Sequence, residues 1–208
     1  MSTTNMTVRN SLRKLIRSRR QQLSALAQTN AALSICQQLT KHPKIIAANS
    51  VALYLANDGE LNLSAFIDWC FEHNKKVYLP VLHPFAPGHL LFLHYQKDSI
   101  LVTNKYGILE PKLDVRKVLP VASLDVLITP LVAFDSIGNR LGMGGGFYDR
   151  TLSHWQKHHA LNLHISDNNM LYPLGVAHDC QEVDNIPIEH WDIPLPEIIT
   201  PAQSHRWP

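Results

Sequence analysis

The sequence predicts an α/β fold, a three-layer arrangement in which a mostly parallel sheet is flanked by helices. Three observations indicate this class. Short runs of apolar and β-branched residues alternate with segments of helical periodicity. The 208 residues are 45% hydrophobic, which suffices to bury a sizeable core as one domain over 1–208. A glycine-rich stretch separates a strand pattern from a helix pattern, which predicts a phosphate-binding loop at the carboxyl end of a strand.

The first predicted element is a helix from about Val8 to Ala27, continuing through Ala31 to Leu39. Apolar residues recur there at helical spacing and are expected to form one buried stripe: Val8, Leu12, Leu15, Ile16, Leu23 and Leu26. Four arginines lie together on a flank beside that stripe, because spacings of three and four return to one face: Arg9, Arg13, Arg17 and Arg20. The helix therefore presents a row of guanidinium groups.

The charge of the chain is unevenly distributed. Residues 1–57 hold eight Lys and Arg and no Asp or Glu, whereas the remainder holds 11 basic and 17 acidic residues. This asymmetry predicts an anionic partner for the N-terminal segment. The alternatives are a solvated basic face, an organelle transit peptide and a nucleic-acid surface. The acidic remainder makes a poor footprint for nucleic acid.

The rest of the chain alternates strand and helix patterns, which favours a parallel sheet with crossover helices. We expect strands over 51–56, 76–82, 90–96, 171–177 and 197–200, a further apolar run over 125–135, and helices over 61–73 and 147–158.

The stretch RLGMGGGFYDR, residues 140–150, carries four of the nine glycines of the chain. Glycines let the backbone approach an anion without a Cβ in the way, and a helix start adds N–H donors and a favourable dipole. The stretch matches neither the P-loop nor the G-x-G-x-x-G spacing. A tight turn is therefore an equal alternative on glycine content alone.

Charged neighbours favour the phosphate interpretation. Arg140 has a planar fork suited to a phosphate group. Asp149 suits Mg²⁺, which takes few carboxylates together with phosphate oxygens, although an acid in a first helical turn also complements the helix dipole. Arg150 is expected to pair at the surface.

Other classes of protein are disfavoured. No window approaches the roughly 18 apolar residues of a membrane span, and no secretory apolar segment lies near the start. The three cysteines are widely spaced and suggest neither a disulfide framework nor a zinc site. We therefore expect a cytoplasmic protein with no membrane and no nucleic-acid partner.

Five motifs together resemble one family. RLGMGGGFYDR, preceded by FDSIGNR, resembles the ATP-binding loop of the 5-formyltetrahydrofolate cyclo-ligase family. RNSLRKLIRSRR is similar to its basic opening helix, NDGELN to its folate-contacting turn, and YGILEP to its central block. AHDCQEVDNIPIEHWDIPL is similar to its C-terminal signature. The resemblance extends over nearly the whole chain.

The resemblance implies an enzyme that converts 5-formyltetrahydrofolate to 5,10-methenyltetrahydrofolate, with ATP as co-substrate, Mg²⁺ as cofactor, and ADP and phosphate released. It implies that ATP is bound by Arg9, Arg13, Arg140, Leu141, Gly142, Met143, Gly144, Gly145, Gly146, Phe147 and Tyr148. It implies that folate is bound by Leu55, Glu60, Tyr106, Met143, Gly144, Gly145, Gly146 and Phe147. The metal ligands would be Asp149 and Asp192, and the catalytic residues Arg140 and Asp149.

Without the resemblance, several of these residues have ordinary interpretations. Asp192 would be a turn residue, Glu60 a helix-start residue and Tyr106 a half-buried core aromatic. The chain also departs from the family, since many relatives carry Lys where Gly145 stands and Tyr where Phe147 stands. The departure leaves open which cation faces the transferred phosphoryl group.

The functional alternatives are a non-catalytic folate- or nucleotide-binding protein and a small-molecule kinase that uses the same loop. The expected partners are the two small-molecule substrates, and we expect a monomer.

Overall fold

The computed structural model describes residues 3–160 and 170–207, with side chains for 5–157 and 170–207. Its helices are α1 Thr3–Gln21, α2 Ala25–Leu39, α3 Pro43–Ala47, α4 Ser64–Glu72 and α5 Phe147–Ala160. Its strands are β1 Ser50–Ala52, β2 Lys76–Leu82, β3 Leu90–Tyr95, β4 Leu101–Thr103, β5 Leu109–Pro111, β6 Val118–Leu119, β7 Val126–Pro130, β8 Ala133–Asp135, β9 Arg140–Leu141, β10 Tyr172–Val176, β11 Glu182–Val183, β12 Glu197–Ile199 and β13 Ser204–Arg206.

The main sheet has eight strands in the order β13-β12-β10-β7-β1-β2-β3-β6. The five central strands, from β12 to β2, are parallel, and antiparallel strands complete both edges. The carboxyl ends of β1, β7 and β10 therefore open on the same edge of the sheet. The predicted α/β class with a mostly parallel sheet is confirmed.

Helices cover both faces of this sheet, which gives the three layers. Side chains along each strand alternate between faces, as for Val51 and Ala52 on β1. Val51 belongs to a core shared with α2 and α4, which includes Ile35 and Phe66. Ala52 belongs to a second core, which includes Leu152 of α5.

Two smaller sheets extend the fold. The strands β4 and β5 form a hairpin, and β11, β8 and β9 form a three-stranded sheet. The apolar run over 125–135 divides at Leu131 and Val132, so that β7 lies in the main sheet and β8 in the small one. The chain between β7 and α5 is thereby carried away from the main sheet before the glycine stretch begins.

The predicted continuous N-terminal helix is interrupted. The helix α1 ends at Gln21, and Ser24 caps α2 by accepting a hydrogen bond from the backbone N–H of Ala27 at 3.2 Å. A serine cap satisfies an N–H that the start of a helix leaves free. The break lets α2 pack into the main core while α1 packs elsewhere.

The predicted N-terminal apolar stripe is wrong for Val8, Leu15 and Leu26, which are exposed, and confirmed for Ile16 and Leu12, which pack in the core. Val8 and Leu15 are 41% and 48% exposed, whereas Ile16 is fully buried against the small sheet. The buried face of α1 also carries Arg9 and Arg20, which are 5% and 1% exposed. Each of these arginines is paired with a carboxylate, which offsets the cost of removing a charge from water.

No helix in 3–160 or 170–207 is long and apolar enough to cross a membrane. The single-domain organisation over 1–208 stays a prediction.

We expect Gly175→Ala to destabilise the fold by about 1–3 kcal/mol, the usual cost of overpacking a core. Gly175 lies on β10, where an added Cβ would come within 2.7 Å of the Ile198 side chain and 2.8 Å of the Leu195 side chain. Urea unfolding followed by circular dichroism measures the change. Gly142→Ala is the matched control, because a Cβ there meets nothing within 4 Å. Equal stability of the two variants would contradict tight packing at β10.

Candidate active site

The glycine loop, residues 142–146, connects β9 of the small sheet to the start of α5. Gly144 and Gly146 have φ of 99° and 65°, in the left-handed region that favours glycine. The strand that precedes the loop is thus the two-residue β9, not a strand of the parallel sheet as the sequence pattern suggested. The expected order of strand, glycine turn and helix is otherwise present.

The loop borders a cavity of about 420 Å³. Its other walls come from α5 and from the segment around Asp192, and the lining residues are Gly144, Gly145, Gly146, Asp149, Arg150, Ser153, Gln156, Lys157, Trp191 and Ile193. The motif from the C-terminal part of the chain therefore meets the glycine loop, although about forty residues separate them in sequence.

Arg140 is buried directly beneath this region, at 4% exposure. Its Nη2 donates a hydrogen bond to Asp149 Oδ1 at 2.7 Å, and Asp149 Oδ1 also accepts from the backbone N–H of Ile193 at 3.5 Å. Burial lowers the pKa of Arg140, and the charges of Asp149 and Asp192 oppose that shift. The Nε of Arg140 has no hydrogen-bond partner in the described part of the chain. Asp149 alone therefore does not satisfy this guanidinium.

Arg9 forms a two-point ion pair with Asp192. Arg9 Nη1 donates to Asp192 Oδ2, and Arg9 Nη2 donates to Asp192 Oδ1 at 2.9 Å. The hydrogen bond that Arg9 donates to Asp192 raises the pKa of Arg9 against the effect of burial, and the charge of Asp149 adds to the rise. The structure thus brings the two predicted metal ligands and two predicted phosphate-binding arginines into one charged cluster.

Arg13 lies along the glycine loop. Its Nε donates to the backbone carbonyl of Gly142 at 2.8 Å, and its guanidinium is 3.5 Å from the position of a Cβ on Gly144. Burial is the main cause that lowers the pKa of Arg13, and the charge of Arg9 adds to the effect. The solvated-face alternative is therefore wrong for Arg9 and Arg13, which pack against the site.

The turn of NDGELN lies after β1, at the carboxyl edge of the main sheet. Glu60 is half-buried, its Oε2 accepts from the backbone N–H of Asn57 at 3.0 Å, and burial raises its pKa. Burial is also the main cause that raises the pKa of Tyr148 in the first turn of α5, and the charge of Glu60 adds to it. The predicted folate turn therefore adjoins the glycine loop.

Tyr106 occupies the turn between β4 and β5 and is 56% exposed. Its ring meets that of Phe147 edge-to-face, with 6.0 Å between the ring centres. The interpretation of Tyr106 as a core aromatic is wrong, and its exposed ring faces the end of the loop.

Two predicted site residues, Leu55 and Leu141, pack in the core and do not line the loop cavity. Leu55 packs on the main core and lines a separate cavity of about 160 Å³. Leu141 is fully buried in the core beneath α1. Leu141 supports the loop through packing, whereas Met143 is exposed on it.

Arg150 is not among the predicted site residues and was expected to pair at the surface; it is exposed there and forms no ion pair with the side chains described for 5–157 and 170–207. Its Nε donates to the carbonyl of Gly88 at 2.7 Å, its Nη2 donates to that of Gly145, and it lines the loop cavity. A Cβ on Gly145 would come within 2.7 Å of the Phe147 ring, so the ring fills the space beside this glycine. The signal that could have identified Arg150 is its position one helical turn after the loop.

The carboxylates suit a metal that is completed by phosphate. In 3–160 and 170–207 no group of three or more His, Cys, Asp or Glu side chains is arranged to hold a metal ion. Asp149 Oδ2, however, receives no hydrogen bond from the described residues, and Asp149 borders the cavity. One or two carboxylates with phosphate oxygens are what Mg²⁺ prefers in nucleotide sites.

Comparison with known proteins gives concordant results. The model of the 5-formyltetrahydrofolate cyclo-ligase family matches residues 5–201. The 5-formyltetrahydrofolate cyclo-ligase of Escherichia coli is 49% identical over 193 residues, which cover 93% of this chain and 100% of that protein. The Haemophilus influenzae 5-formyltetrahydrofolate cyclo-ligase is 48% identical, covering 94% of this chain and 98% of that protein.

A solved structure is also similar. The structure of Aquifex aeolicus 5,10-methenyltetrahydrofolate synthetase matches with a TM-score of 0.78 and 25% identity, covering 96% of this chain and 92% of that chain.

Proposed function

Because the chain belongs to the 5-formyltetrahydrofolate cyclo-ligase family, we propose that its glycine loop, three arginines and two carboxylates carry out the family's reaction. The protein is an ATP-dependent ligase of folate one-carbon metabolism, which converts 5-formyltetrahydrofolate to 5,10-methenyltetrahydrofolate. The observation that carries the assignment of residues is the convergence of Arg9, Arg13, Arg140 and the loop on one charged cluster beside a cavity.

The reaction must turn a formamide oxygen into a leaving group. The formyl oxygen attacks the γ-phosphorus of ATP, which forms an O–P bond and releases ADP. The anilino nitrogen attacks the carbon of the resulting phosphorylated iminium and gives up its proton, which leaves with the phosphate when the C–O bond breaks. The protein's part in such a transfer is mainly to position the reactants and to stabilise charge.

The arginines supply the positive charge that a triphosphate requires. In the structure Arg9 is held by Asp192 and Arg140 by Asp149. A triphosphate would replace or share these partners, and each charge-assisted hydrogen bond to it is worth about 1.5–3 kcal/mol. Residues 141–148 supply the backbone and side chains that surround the phosphates. Gly144 and Gly146 adopt left-handed conformations, which allow backbone N–H groups to turn toward an anion.

Asp149 and Asp192 are the residues that would hold Mg²⁺. When bound, Mg²⁺ neutralises developing negative charge on the phosphate oxygens. Asp149 presents an oxygen without a hydrogen bond from the described residues, whereas Asp192 has both oxygens on Arg9. Asp192 therefore becomes available when Arg9 turns to the phosphates.

The folate is proposed to lie between the NDGELN turn and the glycine loop. Glu60 faces the hydrogen-bonding edge of the pterin, and the exposed ring of Tyr106 beside Phe147 offers a surface for a ring system. Met143 and Gly144–Gly146 contact the folate from the loop. A folate contact by Leu55 stays a prediction, because Leu55 precedes the turn and lines the separate cavity. This arrangement sets the formyl group on the loop side, next to the phosphates.

An absorbance assay tests this function. Purified protein with 5-formyltetrahydrofolate, Mg²⁺ and ATP should produce the absorbance of the methenyl product, and should release ADP only when the folate is present. Folate retention without ATP consumption would favour a binding protein, and ADP release without folate would favour a kinase. Folded protein that gives no ATP-dependent product would contradict the proposal.

We expect Arg13→Ala to raise the KM for ATP by about 10-fold, which corresponds to the loss of one charge-assisted contact. The KM for 5-formyltetrahydrofolate should change little, because Arg13 contacts the loop at Gly142 and not the NDGELN turn. Steady-state kinetics with each substrate varied in turn provide the measurement. Lys14→Ala is the matched control, since Lys14 is the exposed neighbour of Arg13 on α1. Normal ATP kinetics of Arg13→Ala would remove this arginine from the site.

We further propose that the protein acts as a cytoplasmic monomer on these two small molecules. Cys36, Cys70 and Cys180 form no disulfide, which suits a reducing compartment. Light scattering after size-exclusion chromatography distinguishes the 23.5 kDa monomer from a dimer.

A further inference from the structure

The helix α1 contacts both proposed substrate sites. Its N-terminal part carries Arg9 and its middle carries Arg13, which reach Asp192 and the glycine loop. Its C-terminal half carries Arg17 and Arg20, which both reach Asp58 of the NDGELN turn. Arg9 and Arg17 are eight residues apart on one uninterrupted helix, a distance of about 12 Å along the axis.

Asp58 receives three side chains from α1. Arg17 Nε donates to Asp58 Oδ2 at 2.6 Å, Arg20 Nη2 donates to the same oxygen at 2.8 Å, and Gln21 Nε2 donates to Oδ1. The hydrogen bond from Arg17 is the largest cause of the lowered pKa of Asp58. The carboxylate is therefore ionised and is held to the helix by charge.

The backbone of the turn needs this support. Asp58 has φ of 52° and Gly59 has φ of 74°, so an acidic residue and a glycine adopt the left-handed region in succession. Aspartate adopts this region more readily than most residues other than glycine, and the surrounding side chains fix it there. The side chains that impose it come mainly from α1, and Gln28 and His178 contact the Gly59 carbonyl at 3.3 Å each.

Glu60, which is proposed to meet the pterin, follows this turn directly. Glu60 is hydrogen-bonded to Asn57 across this turn, and the contact of α1 with Asp58 holds the turn in place. The same helix must change partners at its other end when a triphosphate draws Arg9 from Asp192. A ligand shifts a conformation when it interacts differently with the two states, and Arg9 provides that difference.

We propose that Asp58 is a positioning residue that couples the two substrate sites through α1, so that ATP and 5-formyltetrahydrofolate bind cooperatively. The inference rests on the proposed function. Bound nucleotide fixes the position of α1 against the glycine loop. Because Asp58 is hydrogen-bonded to α1, the folate turn is then held in one position as well. By linkage, bound folate strengthens nucleotide binding by the same factor.

Titration calorimetry on the full chain tests the coupling. The Kd of 5-formyltetrahydrofolate is measured alone and with a saturating non-hydrolysable ATP analogue and Mg²⁺. We expect the nucleotide to tighten folate binding by about 10-fold in the wild type, within the usual range of allosteric coupling. In Asp58→Asn we expect this factor to fall below about 2-fold, because asparagine tolerates the left-handed conformation but loses the charge that α1 holds. The Kd of the analogue measured without folate should stay within about 2-fold of wild type.

Two further variants make the result specific. Arg17→Gln tests the same contact from the helix side, at a side chain that is 42% exposed and outside the core. Arg17→Gln should also lose the coupling. If Asp58→Asn does not fold, the result for Arg17→Gln tests the proposal by itself. Asp114→Asn is the control and should keep the full factor, because Asp114 pairs with Arg116 only two residues away in a surface loop.

The outcomes separate the two proposals. A wild type that forms the methenyl product but shows equal folate Kd with and without nucleotide would overturn the coupling and leave the activity intact. Full coupling in both folded Asp58→Asn and Arg17→Gln would overturn the role of Asp58. A wild type that binds both ligands cooperatively but makes no product would contradict the proposed function and leave the coupling standing.

Discussion

Replacement of Arg140 by alanine is expected to lower kcat by about 100- to 1000-fold, the usual loss when one preorganised donor to a developing charge is removed. Arg140 is buried beneath the glycine loop, so its charge acts where water does not screen it. Its guanidinium is held by Asp149 at 2.7 Å and retains a donor, Nε, without a partner in the described residues. Phosphoryl transfer develops negative charge on the phosphoryl and leaving-group oxygens, and the proposed function assigns this buried cation to stabilise it.

The measurement is steady-state kinetics in saturating Mg²⁺, with circular dichroism to verify folding. Arg140→Lys serves as a second variant because it keeps the charge and loses the planar fork, and it should recover only part of the rate. Arg116→Ala is the matched control, since Arg116 is an exposed arginine that pairs with Asp114 away from the loop. Wild-type kcat in folded Arg140→Ala would exclude this residue from catalysis.

Replacement of Asp149 by asparagine is expected to have the second large effect. The variant should lower kcat/KM for ATP by about 100-fold, or about 2.7 kcal/mol, and raise the Mg²⁺ concentration needed for half-maximal rate. Asparagine has the same shape but no charge, so it binds Mg²⁺ weakly and leaves the buried Arg140 without its ionised partner. The Kd of 5-formyltetrahydrofolate should stay near the wild-type value.

Mg²⁺ titrations of the initial rate, together with folate calorimetry, provide the measurement. Asp114→Asn is the control, because Asp114 pairs with exposed Arg116 and lines neither the loop cavity nor the cavity beside Leu55. An unchanged Mg²⁺ requirement in folded Asp149→Asn would remove Asp149 from the metal site. A loss of folate affinity equal to the loss for ATP would indicate instead that the whole loop had collapsed.

The arginine row on α1 shows which features a sequence pattern predicts and which it does not. Helical spacing correctly placed Arg9, Arg13, Arg17 and Arg20 on related faces, and the absence of acidic residues before Asp58 predicted an anionic partner. The pattern could not reveal that the arginines of this row pair with different carboxylates. Arg9 forms an ion pair with Asp192, and Arg20 forms one with Asp58. Those carboxylates lie far away in the chain, and helical periodicity contains no information about them.

The same limit explains the wrong prediction for the apolar stripe. Periodicity assumes that apolar side chains face the core, yet Val8 and Leu15 are exposed while Arg9 and Arg20 are buried. Burial of a charge is favourable only with a partner of opposite charge, so the buried face of α1 was decided by tertiary contacts. For Tyr106 the exposure likewise followed from the hairpin that carries it, which sets its ring against Phe147.

The sequence by itself determined the alternation of strands and helices, the glycine loop and its neighbouring charges, and the motifs of the family. These features are local, because strand and helix periods, glycine conformations and motif spacing are properties of short segments. Only the tertiary structure decided that the loop follows β9, that Arg150 joins the cavity, and that Arg9 and Arg140 pair with Asp192 and Asp149. These features depend on contacts between residues that are distant in the sequence. Such contacts decide which helix face is buried and which charged groups pair, and a local pattern does not determine either.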